Sequence, residues 1–231
     1  MEKYGKLIQA AIIAVGLLLL GLCIKGGIDN FTNKDRRVTV KGLAERVVDA
    51  DKVTWTLTVG TTGNDLNAIF AVLNQRISTI QQYLKEKGLD GKATVTVNSY
   101  NITDNDANVW NERKPAFRYS VSRSVSITSA DTKLISTLKK STNDDLIERG
   151  VILESDYANY EYTKFQELKP DMMSEAIAAA EKTAGQFAEN SHSTINKIVE
   201  AGQGEFSIDE ADIDYQKKVR VVSTITYSLK D

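Results

Sequence analysis

The residues best suited to binding a cation lie in one acidic stretch near the C-terminal end, "GQGEFSIDEADIDY" at 202–215. Carboxylates at Asp209, Glu210, Asp212 and Asp214 resemble the oxygen ligands that calcium prefers. An EF-hand loop also needs glycine at its sixth position and glutamate at its twelfth. Counted from Asp209, those positions hold Asp214 and Arg220. We therefore interpret the stretch as a solvated acidic loop, keep these four carboxylates as weak metal candidates, and predict no metal site and no cofactor.

The chain has a single cysteine, Cys23, and a single histidine, His192. These counts exclude an internal disulfide and a Cys/His metal cluster. A Ser-His-Asp or Cys-His hydrolase would have to use His192, which "ENSHSTIN" places at the end of a predicted helix, where a solvated histidine is the simpler interpretation. We predict no catalytic residue and no enzymatic activity. A hydrolase that depends on His192 or on a carboxylate pair is the alternative.

Two further stretches are candidates for binding. "GTTGND" at 60–65 lacks the lysine of a Walker motif and the third glycine of a dinucleotide fingerprint, so it predicts a strand-to-helix turn. Trp110, in the polar stretch 103–115, is a candidate contact residue, although packing over a sheet edge is the simpler interpretation. The net charge of -2 and the lack of a basic run predict no nucleic-acid partner.

The N-terminal region has the pattern of an export segment. Residues 7–24 read "LIQAAIIAVGLLLLGLCI", preceded by Lys3 and Lys6 and followed by Lys25. We predict a cytoplasmic n-region at 1–6, a transmembrane anchor or uncleaved signal at 7–24, and a tether at 25–36, with a cleaved signal peptide as the alternative. Lysines on both sides leave the orientation open. The remainder, 37–231, is predicted to be one domain held at a membrane face or exported.

The body of the chain alternates between strand and helix patterns. In 53–59, Val53, Trp55, Leu57 and Val59 alternate with threonines, which predicts a half-buried antiparallel strand. In the preceding strand an isolated glycine, Gly42, suggests a bulge or a close backbone neighbour. The predicted order is ββαββαβαββ, an α+β fold whose second to fifth strands form a split βαβ (ferredoxin-like) portion. The remaining elements could extend that sheet or form a second layer.

This succession of segments resembles the SIMPL-domain family. The matching stretches are "VTVKGLAERVVDADKVTWTLTV", "YSVSRSVSITSADTKLISTLKKS" before "GVILESDYANYEY", and "MSEAIAAAEKTAGQFAENSHSTINKIVEAG". The resemblance covers about residues 37 to 231 and rests on the order of the segments. It implies an exported bacterial envelope protein of the periplasmic or outer-membrane immunogenic type, for which no catalytic residue is established.

The resemblance therefore implies a non-enzymatic cell-envelope protein that acts by self-assembly or protein–protein contact and is linked to envelope stress. The expected partners are the membrane, through 7–24, and further copies of the chain in a homo-oligomer; any other protein partner is open. The expected location is the inner membrane with a periplasmic domain, or the periplasm after cleavage. The alternative is a periplasmic module that binds a small ligand or a cation.

Overall fold

The computed structural model describes residues 2–32, 36–107 and 116–230. This part of the chain forms a mixed α+β fold with helices and two antiparallel sheets. In chain order the elements are α1 (Glu2–Thr32), β1 (Arg37–Asp49), β2 (Lys52–Gly63), α2 (Leu66–Glu86), β3 (Ala93–Val97), β4 (Asn101–Asp104), β5 (Tyr119–Ser129), α3 (Thr132–Glu148), β6 (Ser155–Glu161), α4 (Phe165–Asn190), β7 (Thr194–Glu210) and β8 (Gln216–Lys230).

The predicted membrane segment at 7–24 falls within α1. Over the described ranges, no helix has both the length and the apolar character required to cross a bilayer, so a membrane helix is not detected.

The predicted order ββαββαβαββ is one strand short. The single strand expected over about 92–102 is two strands, β3 and β4, which both pair with β5. The break falls at Asn98, whose side-chain amide donates to Ser124 Oγ and Ser126 Oγ, both at 2.9 Å. Two residues later Tyr100 packs against Phe70, with ring centroids 4.7 Å apart. These side-chain contacts interrupt the ladder, and the sequence pattern does not reveal them.

The chain divides into two compact units. Unit 1 comprises residues 1–45, 169–207 and 220–231, and unit 2 comprises 46–168 and 208–219.

Unit 2 contains a sheet with the strand order β3-β5-β2-β6, in which β4 also pairs with β5. Both β2 and β3 are antiparallel to β5, so they run in the same direction on either side of it, as in a split βαβ unit. Helices α2 and α3 contact this sheet. The apolar face of β2 is completely buried, as its alternation predicts; its residues are Val53, Trp55, Leu57 and Val59.

Helix α2 lies over this core with an apolar stripe at a helical spacing, including Ile69, Leu73 and Ile77. Its N-cap is Asp65, whose side chain accepts from the backbone N–H of Asn67 at 2.8 Å.

Most of the three-stranded sheet, in the order β1-β8-β7, belongs to unit 1. Strand β1 is antiparallel to β8, since Thr39 contacts Thr226 while Glu45 pairs with Arg220. The strands outside the predicted split βαβ portion, β1, β7 and β8, therefore form a second sheet and do not extend the first. Helix α4 begins at Phe165, and it buries residues at every fourth position, namely Met172, Ala176, Ala180, Ala184 and Ala188.

Candidate functional site

The candidate site in unit 1 is the outer edge of β7. The order β1-β8-β7 leaves one side of this 17-residue strand without a partner strand among the described residues. All residues from Asn196 to Gly202 are exposed. Ile198 is 51% exposed and Val199 is 42% exposed, although consecutive strand residues point to opposite faces. The strand is therefore open to solvent at its edge and on both faces, which makes its backbone groups available for pairing with another strand.

An apolar cleft lies beside this edge. It has a volume of about 270 Å³ and is lined mainly by Met173 and Ile177 of α4, Ile198 and Ala201 of β7, and Ile225 of β8. Ile177 is itself 40% exposed. A strand added at this edge could bury the exposed isoleucines.

The two edges of this sheet differ in composition. Strand β1 alternates exposed and buried residues, and on its exposed face the charged Lys41 and Glu45 alternate with Leu43, which is 44% exposed, and Val47, which is 59% exposed. Charges at such positions are a common protection against edge pairing. In β7 the central pair, Ile198 and Val199, has no charge, and one lysine and one glutamate lie immediately on either side of it, Lys197 and Glu200.

The acidic stretch 202–215 is for the most part not a loop. Strand β7 continues to Glu210, and only 211–215 form the turn into β8. Asp209, Asp212 and Asp214 are exposed. The carboxylate of Glu210 forms an ion pair with Lys217, whose side chain is only 8% exposed.

Within the ranges that the structure describes, no group of three or more His, Cys, Asp or Glu side chains is arranged to hold a metal ion. The four weak candidates remain untested as cation ligands.

The two other residues singled out from the sequence have different outcomes. Trp110 lies outside the described residues. His192 is exposed and follows the end of α4, where its backbone N–H donates to the carbonyl oxygen of Glu189 at 3.1 Å. Its φ of 54° lies in the left-handed region. This is the helix-end position that the sequence predicts.

Sequence reasoning missed the β7 edge. It used "TINKIVEAG" only as the end of a stretch that carries the family resemblance, and a strand pattern contains no information on which strand ends a sheet. The signal that could have drawn attention to it is "KIVE", an uncharged β-branched pair between opposite charges.

Comparison with known proteins identifies one family. The model of SIMPL, described as a protein of unknown function (DUF541), matches residues 38–227. This span includes both sheets and helices α2 to α4. A search of curated proteins finds no match.

Proposed function

The chain belongs to the SIMPL family, and on that premise we propose that it is a non-enzymatic cell-envelope protein that assembles with copies of itself through the free edge of β7. The observation that supports this proposal most directly is the exposure of Ile198 and Val199 on an edge strand that lacks a strand partner among the described residues. Natural proteins usually cover or charge such edges, because they are templates for strand addition.

The sequence of β7 favours a second copy of the chain as the added strand. Two identical strands related by a two-fold axis pair antiparallel, and each contacts the same residues of the other. A two-fold axis that relates antiparallel strands is perpendicular to the sheet, so each residue and its symmetry mate project from the same face. If the axis passes beside Ile198, each Ile198 lies directly opposite the partner's Ile198. Opposite β-branched residues stabilise an antiparallel pair, whereas like charges at the same position destabilise it.

The apolar cleft supports the same register. Directly opposite residues project from the same face of a sheet. The partner's Ile198 would therefore lie beside Ile198, which lines the cleft together with Ile177. Pairing would remove apolar surface of both copies from water, at about 25 cal/mol per Å².

The experiment introduces charges at the proposed contact. The mass of the full chain is measured by sedimentation equilibrium in a density-matched detergent, for the wild type, Ile198→Glu, Ile198→Lys, and an equal mixture of the two variants. Each variant alone places two like charges opposite each other at the two-fold axis. We expect its dimer dissociation constant to rise roughly tenfold or more. The mixture should recover association, because a glutamate then lies opposite a lysine.

Leu43→Glu is the matched control, because it introduces the same charge at an apolar side chain that is 44% exposed on the other edge strand, and it should leave the mass unchanged. A wild type that is monomeric at every concentration would contradict the assembly proposal. An oligomer that both Ile198 variants retain as fully as the wild type would show that assembly uses another surface.

The envelope location is part of the same proposal. It is supported by the apolar run at 7–24 with its flanking lysines and by what the family resemblance implies. Fractionation of bacterial cells expressing the full chain tests it: the protein should appear in the periplasmic or membrane fraction, and recovery with cytoplasmic markers would contradict it.

A further inference from the structure

One face of the unit 2 sheet is lined almost entirely by hydroxyl groups. The alternation that buries one side of β2 and β5 directs Thr54, Thr56 and Thr58 of β2 to the other side, together with Ser120, Ser122, Ser124 and Ser126 of β5. These side chains are half-buried at most and reach solvent. Short hydroxyl side chains on neighbouring strands form a dense array of groups that both donate and accept hydrogen bonds.

In the middle of this face the hydroxyl groups bond to one another. The amide of Asn98 donates to Ser124 Oγ and Ser126 Oγ. Ser126 Oγ also lies 3.3 Å from Thr56 Oγ1. This part of the face already satisfies most of its own hydrogen-bonding groups and has little need of a ligand.

The end of the face near Gly60 is different. Its six positions form a grid three strands wide, in which Ser120 lies between Thr62 and Thr103, and Ser122 lies between Gly60 and Asn101. Across the described part of the chain, the side chains of Thr62, Asn101, Thr103 and Ser122 make no hydrogen bond. The grid spans two strand spacings, about 10 Å. Together with neighbouring residues it lines a pocket of about 550 Å³, within the range of small-molecule sites.

Two charged residues flank this grid. The guanidinium of Arg76 on α2 donates from Nη1 to the carbonyl oxygen of Gly60 at 2.7 Å. That carbonyl is available because β6 pairs with β2 only as far as Thr58. The carboxylate of Glu154 lies over Gly60, at a position that a β-carbon on residue 60 would overlap. Among the described residues Glu154 has no ion-pair partner and Arg76 has only this one hydrogen bond.

From these contacts we propose that this pocket binds a short saccharide. Sugar hydroxyl groups are both donors and acceptors, so they match a wall of unbonded serine and threonine hydroxyls and an asparagine amide better than a purely anionic or cationic ligand does. Carboxylate and guanidinium groups make stronger hydrogen bonds than neutral groups. Glu154 and Arg76 therefore orient the sugar from the Gly60 end of the neutral grid. The absence of a side chain at Gly60 leaves the space that the carboxylate of Glu154 occupies beside the grid.

The test uses saturation-transfer NMR on the full chain with two probes. One is a tetramer of N-acetylglucosamine, and the other is a tetramer of glucose linked as in maltose. The detergent must carry no sugar headgroup, since such a headgroup would compete. Thr62→Val with Thr103→Val removes two hydroxyl groups and keeps the side-chain shape. We expect at least one probe to bind, and this variant to weaken its binding roughly tenfold or more. Thr54→Val with Thr96→Val is the matched control on the same face, with an expected change below about twofold.

A second variant, Glu154→Gln, guards against misfolding of the double variant, because it changes an exposed side chain in the segment before β6. It should weaken binding severalfold without altering the circular dichroism spectrum. The proposal is overturned if neither probe binds, or if the control variant weakens binding as much as the pocket variant. It is also overturned if free glycine, which carries only an ammonium and a carboxylate group, displaces the bound saccharide more effectively than a second saccharide does.

Discussion

Gly42 of β1 lies directly beneath Ala176 of α4, so close that a β-carbon at residue 42 would overlap the carbonyl oxygen of Ala176. The same atom would lie 2.6 Å from the backbone nitrogen of Ala180. The helix backbone therefore rests on the strand where both carry minimal side chains. Of the two roles expected for this isolated strand glycine, the structure shows the close backbone neighbour.

Gly42→Ala should destabilise unit 1. The added methyl group meets backbone atoms, which cannot rotate away, so α4 must shift from the sheet. Overpacking of this kind costs about 1–3 kcal/mol, and backbone contact favours the upper end. The measurement is the free energy of unfolding in urea. Gly185→Ala is the control within α4, since its β-carbon would meet only Ile195 at 3.9 Å. Alanine in a helix interior is favoured over glycine by about 1 kcal/mol, so the control should be neutral or stabilising.

Removing the hydroxyl group should have different effects on the free energy of unfolding at two buried tyrosines. Tyr83 is fully buried, and its hydroxyl donates to Asp145 Oδ2 at 2.9 Å and lies 3.0 Å from Thr142 Oγ1. Tyr83→Phe should cost about 1–2 kcal/mol of unfolding free energy, since the hydrogen bond to a charged acceptor is lost.

Tyr160 is the matched comparison. Burial raises the pKa of this tyrosine, and the nearby Ser136 side chain lowers it. Its hydroxyl nevertheless makes no hydrogen bond of normal geometry in the described structure. Tyr160→Phe removes a buried polar group that lacks a partner, so it should be neutral or stabilise by up to about 1 kcal/mol. Equal destabilisation by both variants in chemical denaturation would contradict this assignment.

Acid should destabilise unit 2 through four carboxyl groups that lie beside cations. In each case the hydrogen bond from the cation lowers the pKa of the carboxyl group in the folded state. The pairs are Asp49 with Lys133, Glu86 with Arg149, Asp104 with Arg118, and Asp145 with Lys87.

A carboxyl group with a lowered folded pKa contributes stability that is complete above its unfolded pKa and is lost as the pH falls through its folded pKa. The ordinary values are 3.8 for aspartate and 4.5 for glutamate. The melting temperature should therefore be steady between pH 7 and about 5 and fall below about 4.5. Glu86→Gln should make the fall shallower. A melting temperature that rises below pH 4.5 would contradict the prediction.

Calcium should not stabilise the chain through the acidic turn. Lys217 already pairs with Glu210, and a cation there would have to displace a nearly buried ammonium group. Calcium at about 10 mM, above the dissociation constants of weak calcium modules, should leave the melting temperature unchanged. A rise in the wild type that Asp212→Asn with Asp214→Asn abolishes would instead support the cation-binding alternative.

Sequence patterns predicted the features that depend only on residues close together in the chain. The alternation of Val53 and Trp55 with threonines determines which face of β2 is buried, because the period of two is a property of the strand itself. The apolar stripe of α2 has the same origin. The family was also recognisable from the succession of segments. The break at Asn98 was not, because it depends on the side chains of Ser124 and Ser126, which belong to a strand far along the chain.

The sequence by itself determined the α+β composition, the buried faces and the absence of a histidine or cysteine cluster. Only the tertiary structure decided which strands lie at the edges and which hydroxyl groups lack partners. The physical reason is that the hydrogen-bonding groups of the backbone and the side chains can find their partners in residues that are distant in the sequence. Ile198 and Val199 are an uncharged pair in any conformation, but they are available for pairing only because β8 is the one strand beside β7 in the part of the chain that the structure describes. Thr62 and Thr103 likewise become part of one pocket only because β5 lies between them.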